Sequence, residues 1–304
     1  MRASSIDTAK HDVKAALAQV ASGFHAQSQT QPRVAVGLTK PRHGPDGFAA
    51  AIFSSSEEAA RIAADAVKGE VVVSVSSKMP TPRVTRQWTQ SIRRPLEDGQ
   101  QIRPKGAPWV GTGGLFTVDG QVTNRHVVGM SAQPGVRMVQ GPSGYANANK
   151  IGHVDPRATN LFDVAICEVD ADLEARLRWN WGLMGEVRGL AQATIDHLNE
   201  TVCNTGQTIG TQYGTLFAIG VDDQWVGYDE FTLTYNNLLV CRGMNAQPFS
   251  VPGHSGASIH LLDAMLCIAL LFAGGEDDRG IDNTFACDMI GAIRHAGGRP
   301  ELPS

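Results

Sequence analysis

The sequence has few charges and nowhere concentrates them. Only 18% of its 304 residues are Asp, Glu, Lys or Arg, and 26 basic against 30 acidic side chains give a net charge of −4. No lysine–arginine cluster offers the stripe that follows a phosphate backbone, so nucleic acid is not an expected partner. Long apolar runs are missing too. A membrane-spanning helix needs about 18 apolar residues; the longest candidate here, AMLCIALLFA over 264–273, reads as a buried strand. No membrane partner is expected. The opening stretch MRASSIDTAKHDVKAALAQV has no continuous apolar core and does not read as a secretory signal. Cysteine is scarce and odd in number: five residues, at 167, 203, 241, 267 and 287, with no CxxC. Free buried thiols in a reducing compartment, and hence a cytoplasmic location, are the expectation. The glycine-rich stretches GTGG (111–114) and FAGG (272–275) match neither GxGxxG nor GxxxxGK[ST], so no nucleotide cofactor is implied. His254 and His260 lack metal-ligand spacing, and no metal or other cofactor is expected.

Glycine is plentiful, with 33 residues beside 15 prolines. That supply suits strands and turns better than a helical bundle. Residues 6–24 carry apolar positions at helical spacing. Strand-like RVAVGLTK (33–40) and GFAAAIF (47–53) follow, then a serine-capped, alanine-rich helix from Ser54 and the strand EVVVSV (70–75). Residues 1–77 are therefore read as a small α/β unit, with a β-β-α-β pattern over 30–77. It carries no nucleophile or ligand cluster, so it packs on its neighbour or meets a regulatory partner. Residues 78–106 read as a linker. Beyond Ala107 come short apolar strands at 109–118, 121–128, 149–154, 162–169, 206–219, 229–241, 257–262 and 265–273, broken by Gly, Asp and Asn. They point to a barrel or sandwich over 107–304. A mixed insertion, helical in places, is expected over 173–198, and a closing helix over 286–294.

Chemistry gathers in three places. VPGHSGA (251–257) sets Ser255 between two glycines. Such a hydroxyl is inert until a base takes its proton and a third group orients that base. His126, in GQVTNRHVVG, has the most structured setting of the nine histidines. Asp163, in LFDVAICEVD, begins an otherwise apolar strand, where a carboxylate is costly without a partner. Taken singly, each has a plain alternative: a core histidine, a strand-capping aspartate, a loop hydroxyl.

Three stretches resemble chymotrypsin-like (trypsin-like) serine peptidases: GTGGLFTVDGQVTNRHVVG (111–129), FDVAICEV (162–169) and PGHSGASI (252–259), in the order His, Asp, Ser. RPLEDG (94–99) and ALLFAGG (269–275), with a terminal helix, are similar to the bacterial and plant subgroup with an N-terminal α/β extension. The resemblance covers about residues 94–294, with weaker agreement over 30–77. It implies a mainly β protein: a chymotrypsin-like double β-barrel with a small N-terminal α/β unit and a C-terminal helix. It further implies a serine endopeptidase acting on protein or peptide, with Ser255 as nucleophile, His126 as base and Asp163 as its orienting acid. The N–H groups of Gly253 and Ser255 would form the oxyanion hole. Phe249, Leu271, Phe272, Ala273 and Gly274 would line the primary pocket, and because none is acidic, selection for Arg or Lys is not expected. One position departs from the family: His254 stands where an Asp usually precedes the serine. A second reading keeps the fold and weakens the chemistry, leaving a module that binds protein.

Overall fold

The computed structural model describes residues 10–12, 14–15, 33–41, 48–67, 69–86, 95–141, 149–154, 162–171, 177–182 and 185–303. Within the helix expected over 6–24, residues 10–12 and 14–15 are helical, and the rest lies outside the described residues. The β-β-α-β pattern follows as β1 (Val34–Thr39), β2 (Ala49–Ser54), α1 (Glu57–Ala66) and β3 (Val71–Val75). Ser56 caps α1, its hydroxyl accepting from Ala59 N at 3.1 Å, and Glu57 and Glu58 sit against the positive end of the helix dipole. Ala59, Ala60 and Ala63 face inward, small enough to let the helix lie close on the sheet. This unit does not stand apart. β1 pairs antiparallel with a long strand of the second barrel, Val36 opposite Asp222 and Leu38 opposite Ile219. At Gly37 a Cβ would lie 2.4 Å from Val221 Cγ2, so the close approach of the two strands needs glycine.

The stretch expected to be a linker contains β4 (Thr81–Pro82), β5 (Leu96–Asp98) and β6 (Gln100–Pro104). β6 opens the first barrel, with β7 (Gly111–Gly113), β8 (Phe116–Thr117), β9 (Gly120–Thr123), β10 (Arg137–Val139), β11 (Lys150–Val154) and β12 (Ala165–Val169). Pairing runs β7-β6-β10-β11-β12-β9-β8. The ring closes where Gly114 N donates to Val122 O and Val122 N to Leu115 O, both at 2.8 Å. Leu96, Ile102, Phe116, Val127, Met138 and Ile151 fill it. The strand expected over 121–128 ends at Thr123, and Arg125–Val128 is a single helical turn, α2.

The insertion at 173–198 is largely extended: β13 (Leu177–Gly182), β14 (Gly185–Glu186) and β15 (Gly189–Leu190) precede a short 3₁₀ turn at Ile195–His197. The second barrel follows with β16 (Thr201–Gly206), β17 (Gly210–Asp222), the hairpin β18 (Gln224–Gly227) and β19 (Thr232–Tyr235), then β20 (Leu238–Gly243), β21 (Ser258–Leu261), β22 (Leu266–Glu276) and β23 (Asp282–Asp288). Its pairing runs β16-β21-β22-β23-β20-β17 and returns from β17 to β16, so the sheet closes on itself. The closing helix, α3, begins only at Met289. Ala286 and Cys287 stay in β23 because both of its neighbours, β20 and β22, pair with them. One apolar cluster joins everything: Leu115 and Ile166 from the first barrel, Phe272 and Phe285 from the second, Met289 and Ile293 from α3, and Phe53 from the N-terminal unit. The fold is a chymotrypsin-like double β-barrel with an N-terminal α/β unit and a C-terminal helix. Among the described residues no helix is long and apolar enough to cross a membrane.

Deleting residues 1–76 should strip the 219–222 end of β17 of its β1 partner and uncover Val221 and Phe285, both buried in the whole chain. An exposed apolar strand edge invites association. The truncated chain is expected to aggregate in size-exclusion chromatography or to melt roughly 10 °C lower. A monodisperse fragment with the full chain's Tm would show that the unit is dispensable.

Candidate active site

Asp163 sits in the turn before β12 and has no solvent exposure. Its φ is 37°, a conformation few non-glycine residues adopt. The local network enforces it. Asn124 Nδ2 donates to Asp163 O at 2.9 Å, and His126 N donates to Oδ1 at 3.0 Å. Both come from the segment entering α2, so the helical turn that interrupts the expected strand carries the histidine ring to the carboxylate. His126 Nδ1 lies 2.7 Å from Asp163 Oδ2. The carboxylate accepts, so Nδ1 carries the proton and Nε2 presents its lone pair. That Nε2 is buried without a hydrogen-bond partner. It is an oriented, vacant base.

Tyr228, on the loop between β18 and β19, donates its hydroxyl to Asp163 Oδ2 at 2.5 Å, and Tyr235 OH stands 2.5 Å from Tyr228 OH. Burial pushes both phenols well above their ordinary range, so both stay protonated and can donate in sequence toward the carboxylate. Burial alone would raise the Asp163 pKa. The electrostatic attraction between the carboxylate and the His126 ring, with the hydrogen bonds from His126 and Tyr228, outweighs it and holds the carboxyl below its ordinary value.

Ser255 lies in the loop between β20 and β21, between Gly253 (φ 105°) and Gly256 (φ 94°). The loop is bound to the first barrel: Thr112 N donates to Ser255 O at 2.7 Å, and Thr112 Oγ1 to Gly253 O at 2.7 Å. A Cβ on Gly256 would stand 2.0 Å from Thr112 O, and one on Gly114 would stand 2.4 Å from Gly256 O. Gly114 of GTGG therefore serves close backbone approach to the serine loop. The Ser255 hydroxyl donates to Phe272 O at 2.9 Å and accepts from Arg83 N at 2.8 Å. It makes no hydrogen bond to His126 Nε2.

The N–H groups of Gly253 and Ser255 converge on a single acceptor, the carbonyl oxygen of Arg83, with Ser255 N at 3.0 Å. Arg83 belongs to an extended segment lying across the serine. Upstream, β4 pairs antiparallel with β22, Pro82 opposite Ala273 and Thr81 opposite Gly274, and Arg83 N donates to Phe272 O at 3.3 Å. Downstream, Thr85 and Val110 exchange backbone hydrogen bonds at 3.1 and 2.8 Å. The Arg83 side chain passes over Gly274, where a Cβ would lie 2.5 Å from Nε, and reaches Asp282 Oδ1 with Nη2 at 2.7 Å. Asp282 is itself held by Phe249 N at 3.1 Å and Thr284 Oγ1 at 3.0 Å on its other oxygen.

The pocket thus differs from its expected composition. Ala273 and Gly274 flank the occupant, and Phe272 contributes its carbonyl. The rings of Phe249 and Phe272 and the side chain of Leu271 are fully buried in core clusters. None of the five expected lining residues is acidic, but the Arg83 guanidinium that passes over Gly274 meets a carboxylate they do not include, Asp282 at the start of β23. Sequence reasoning missed Asp282, Tyr228 and Arg83. The first carried the signal that singled out Asp163, a carboxylate heading an apolar strand (DNTFACD). The other two carried none. Among the described residues no group of His, Cys, Asp and Glu could hold a metal ion.

His254 is fully buried, its Nδ1 2.9 Å from Asn204 Oδ1, and its ring fills the space a side chain at Gly206 would need. Asn204 Nδ2 donates to Phe249 O at 2.8 Å, which leaves its Oδ1 to accept, so Nδ1 is the protonated nitrogen of a neutral ring. His254 thereby ties the serine loop to β16. Burial first, and the Arg83 charge second, push its pKa down from 6.5 to about 4. Between those values the unfolded chain takes up a proton that the folded chain refuses. This contribution is complete above pH 6.5, falls with decreasing pH, and is gone near pH 4, a loss of about 3 kcal/mol. Unfolding free energies measured over that range should fall more steeply in wild type than in His254→Gln. Parallel curves would contradict the buried neutral ring.

No protein-family model and no curated protein matches the chain. Among solved structures it is similar to a chymotrypsin from Cellulomonas bogoriensis, 19% identical, covering 68% of this chain and 99% of that one with a TM-score of 0.49. Thermobifida fusca Protease A is also 19% identical, with 68% and 99% covered and a TM-score of 0.47. For the Nocardiopsis protease NAPase the figures are 19% identity, 69% and 99% coverage and a TM-score of 0.47.

Proposed function

We propose that the chain is a serine endopeptidase that hydrolyses peptide bonds through an acyl-enzyme, with Ser255 as nucleophile, His126 as general base and acid, and Asp163 as the group that orients and supports the imidazole. The observation that carries this reading is the convergence of the Gly253 and Ser255 N–H groups on one peptide carbonyl beside the Ser255 hydroxyl. Two donors fixed before any charge develops are what an oxyanion requires, and such donors are each worth about 3 kcal/mol. His126 Nε2 takes the Ser255 proton as Oγ attacks the carbonyl carbon, and returns it to the leaving amine. Water then repeats the sequence on the ester. Asp163, kept ionised, favours the imidazolium, and Tyr228 fixes the carboxylate oxygen that faces Nδ1.

A second reading draws on one observation: the Ser255 hydroxyl donates to Phe272 O and not to His126. In that reading the cleft holds extended peptides by β-pairing and does not cut them.

Intact-mass analysis after treatment with a sulfonyl fluoride or an organophosphonate separates the two. Wild type should gain one adduct on Ser255, and Ser255→Ala none. His126→Ala should label at least about 1,000-fold more slowly, and Tyr228→Phe roughly tenfold more slowly, for the loss of one hydrogen bond to a buried charge. Failure of both wild type and Arg83→Gln, whose occupying segment has lost its anchor on Asp282, to take up the probe would leave binding as the function.

A further inference from the structure

The extended segment around Arg83 pairs with β22, seats its carbonyl on two convergent N–H groups and anchors its side chain on Asp282, as a bound substrate would, and it is part of the same chain. We infer that the Arg83–Val84 bond is a self-cleavage site, selected by the pairing of the Arg83 guanidinium with Asp282. The inference rests on the peptidase reading and extends it to a substrate class: chains with arginine on the acyl side of the cut bond.

The bond is held on both flanks. Upstream, β4 adds to β22 as an antiparallel strand; downstream, Thr85 is clasped by Val110 of the first barrel. Between them the Arg83 carbonyl is seated on the N–H groups of Gly253 and Ser255, and Ser255 Oγ accepts from Arg83 N at 2.8 Å, two covalent bonds from the carbonyl carbon. Linkage in one chain keeps this arrangement populated without the cost of bringing two molecules together. The reaction balances with water as the only co-reactant. Ser255 Oγ bonds to the Arg83 carbonyl carbon as His126 Nε2 takes the hydroxyl proton. The Arg83–Val84 C–N bond then breaks, and His126 passes that proton to the Val84 nitrogen. Water, deprotonated by His126, displaces Ser255 from the ester and leaves a carboxylate on Arg83 and an amine on Val84.

Selection for arginine follows from Asp282. Its carboxylate lies at the floor of the pocket with 7% of the side chain exposed, and one oxygen is already committed to Phe249 N and Thr284 Oγ1. The other oxygen pairs with Arg83. A neutral side chain there leaves a buried charge without its partner, which is strongly unfavourable. Gly274 leaves the path to the carboxylate open. The N-terminal unit remains paired through β1 and β17 after the cut, so the two pieces stay together.

The test uses full-length chains, wild type, Ser255→Ala, Arg83→Gln and Asp282→Asn, each shown to be folded by near-UV circular dichroism. They are incubated at pH 8 and followed by denaturing intact-mass analysis and N-terminal sequencing. Wild type should give one piece ending at Arg83 and one beginning at Val84, the two co-eluting under native conditions. Ser255→Ala should stay whole, and cleavage should slow at least about 100-fold in Arg83→Gln and Asp282→Asn. Phosphonate labelling of Arg83→Gln reports on Ser255 independently, because that chain has lost the anchor of its occupant. If Arg83→Gln labels while the wild-type bond stays whole over a day, the self-cleavage inference is overturned and the peptidase reading stands. If Arg83→Gln does not label either, the peptidase reading fails and the inference falls with it.

Discussion

A carboxylate with no access to water must be answered by its surroundings, and the centre of this molecule is arranged around that demand at Asp163. The first barrel supplies the His126 ring and backbone N–H; the second supplies Tyr228, backed by Tyr235. Neither barrel satisfies the group alone. An uncompensated buried charge costs several kcal/mol, so the seam between the barrels is electrostatically specified as well as apolar. The positive φ at Asp163 and the helical turn at Arg125–Val128 are the local distortions that bring donors and acceptor together. Strain of this kind persists only where surrounding contacts over-determine it.

The same seam forms the cleft, and the chain's own segment lies in it. A strand edge at β22 and two inward N–H groups in the serine loop are unpaired polar backbone once the occupant leaves. Arg83 and its neighbours satisfy both, and its guanidinium answers Asp282. The N-terminal unit leads directly into this segment, since β3 ends at Val75 and β4 begins at Thr81. Pairing β1 to β17 therefore fixes where the occupant starts. His254 contributes from beneath: as a neutral ring bonded to Asn204, it holds the serine loop without an ion pair.

Much of this was legible in residue patterns. Asp163 showed itself as a charge heading an apolar strand, and Ser255 by the flanking glycines that let its N–H groups turn inward. The α/β unit showed itself by its capped, alanine-rich helix. What stayed hidden depends on pairing between distant segments. Pro, Arg and Gln around residue 83 look like a linker because nothing local marks a strand that pairs only with β22. Tyr228 sits in a hairpin whose orientation the second barrel sets. Position relative to the serine points to Phe249 and Leu271–Gly274 as pocket lining, but the Phe249 and Phe272 rings turn into the cores, and β23 delivers Asp282 to Arg83 from beyond the last glycine-rich turn. The closing helix starts later than its sequence suggests because Ala286 and Cys287 fit either state and two neighbouring strands decide it, with Asp288 then capping the helix.

The central claim is that a competent serine site holds its own chain in the geometry of a substrate. A crystal structure of full-length Ser255→Ala, which keeps the bond whole, tests it most directly. The account predicts the Arg83 carbonyl oxygen within hydrogen-bonding distance of the N–H groups of residues 253 and 255, the guanidinium on Asp282, and His126 Nδ1 on Asp163. A cleft empty of residues 81–85, with Asp282 facing solvent, would contradict it.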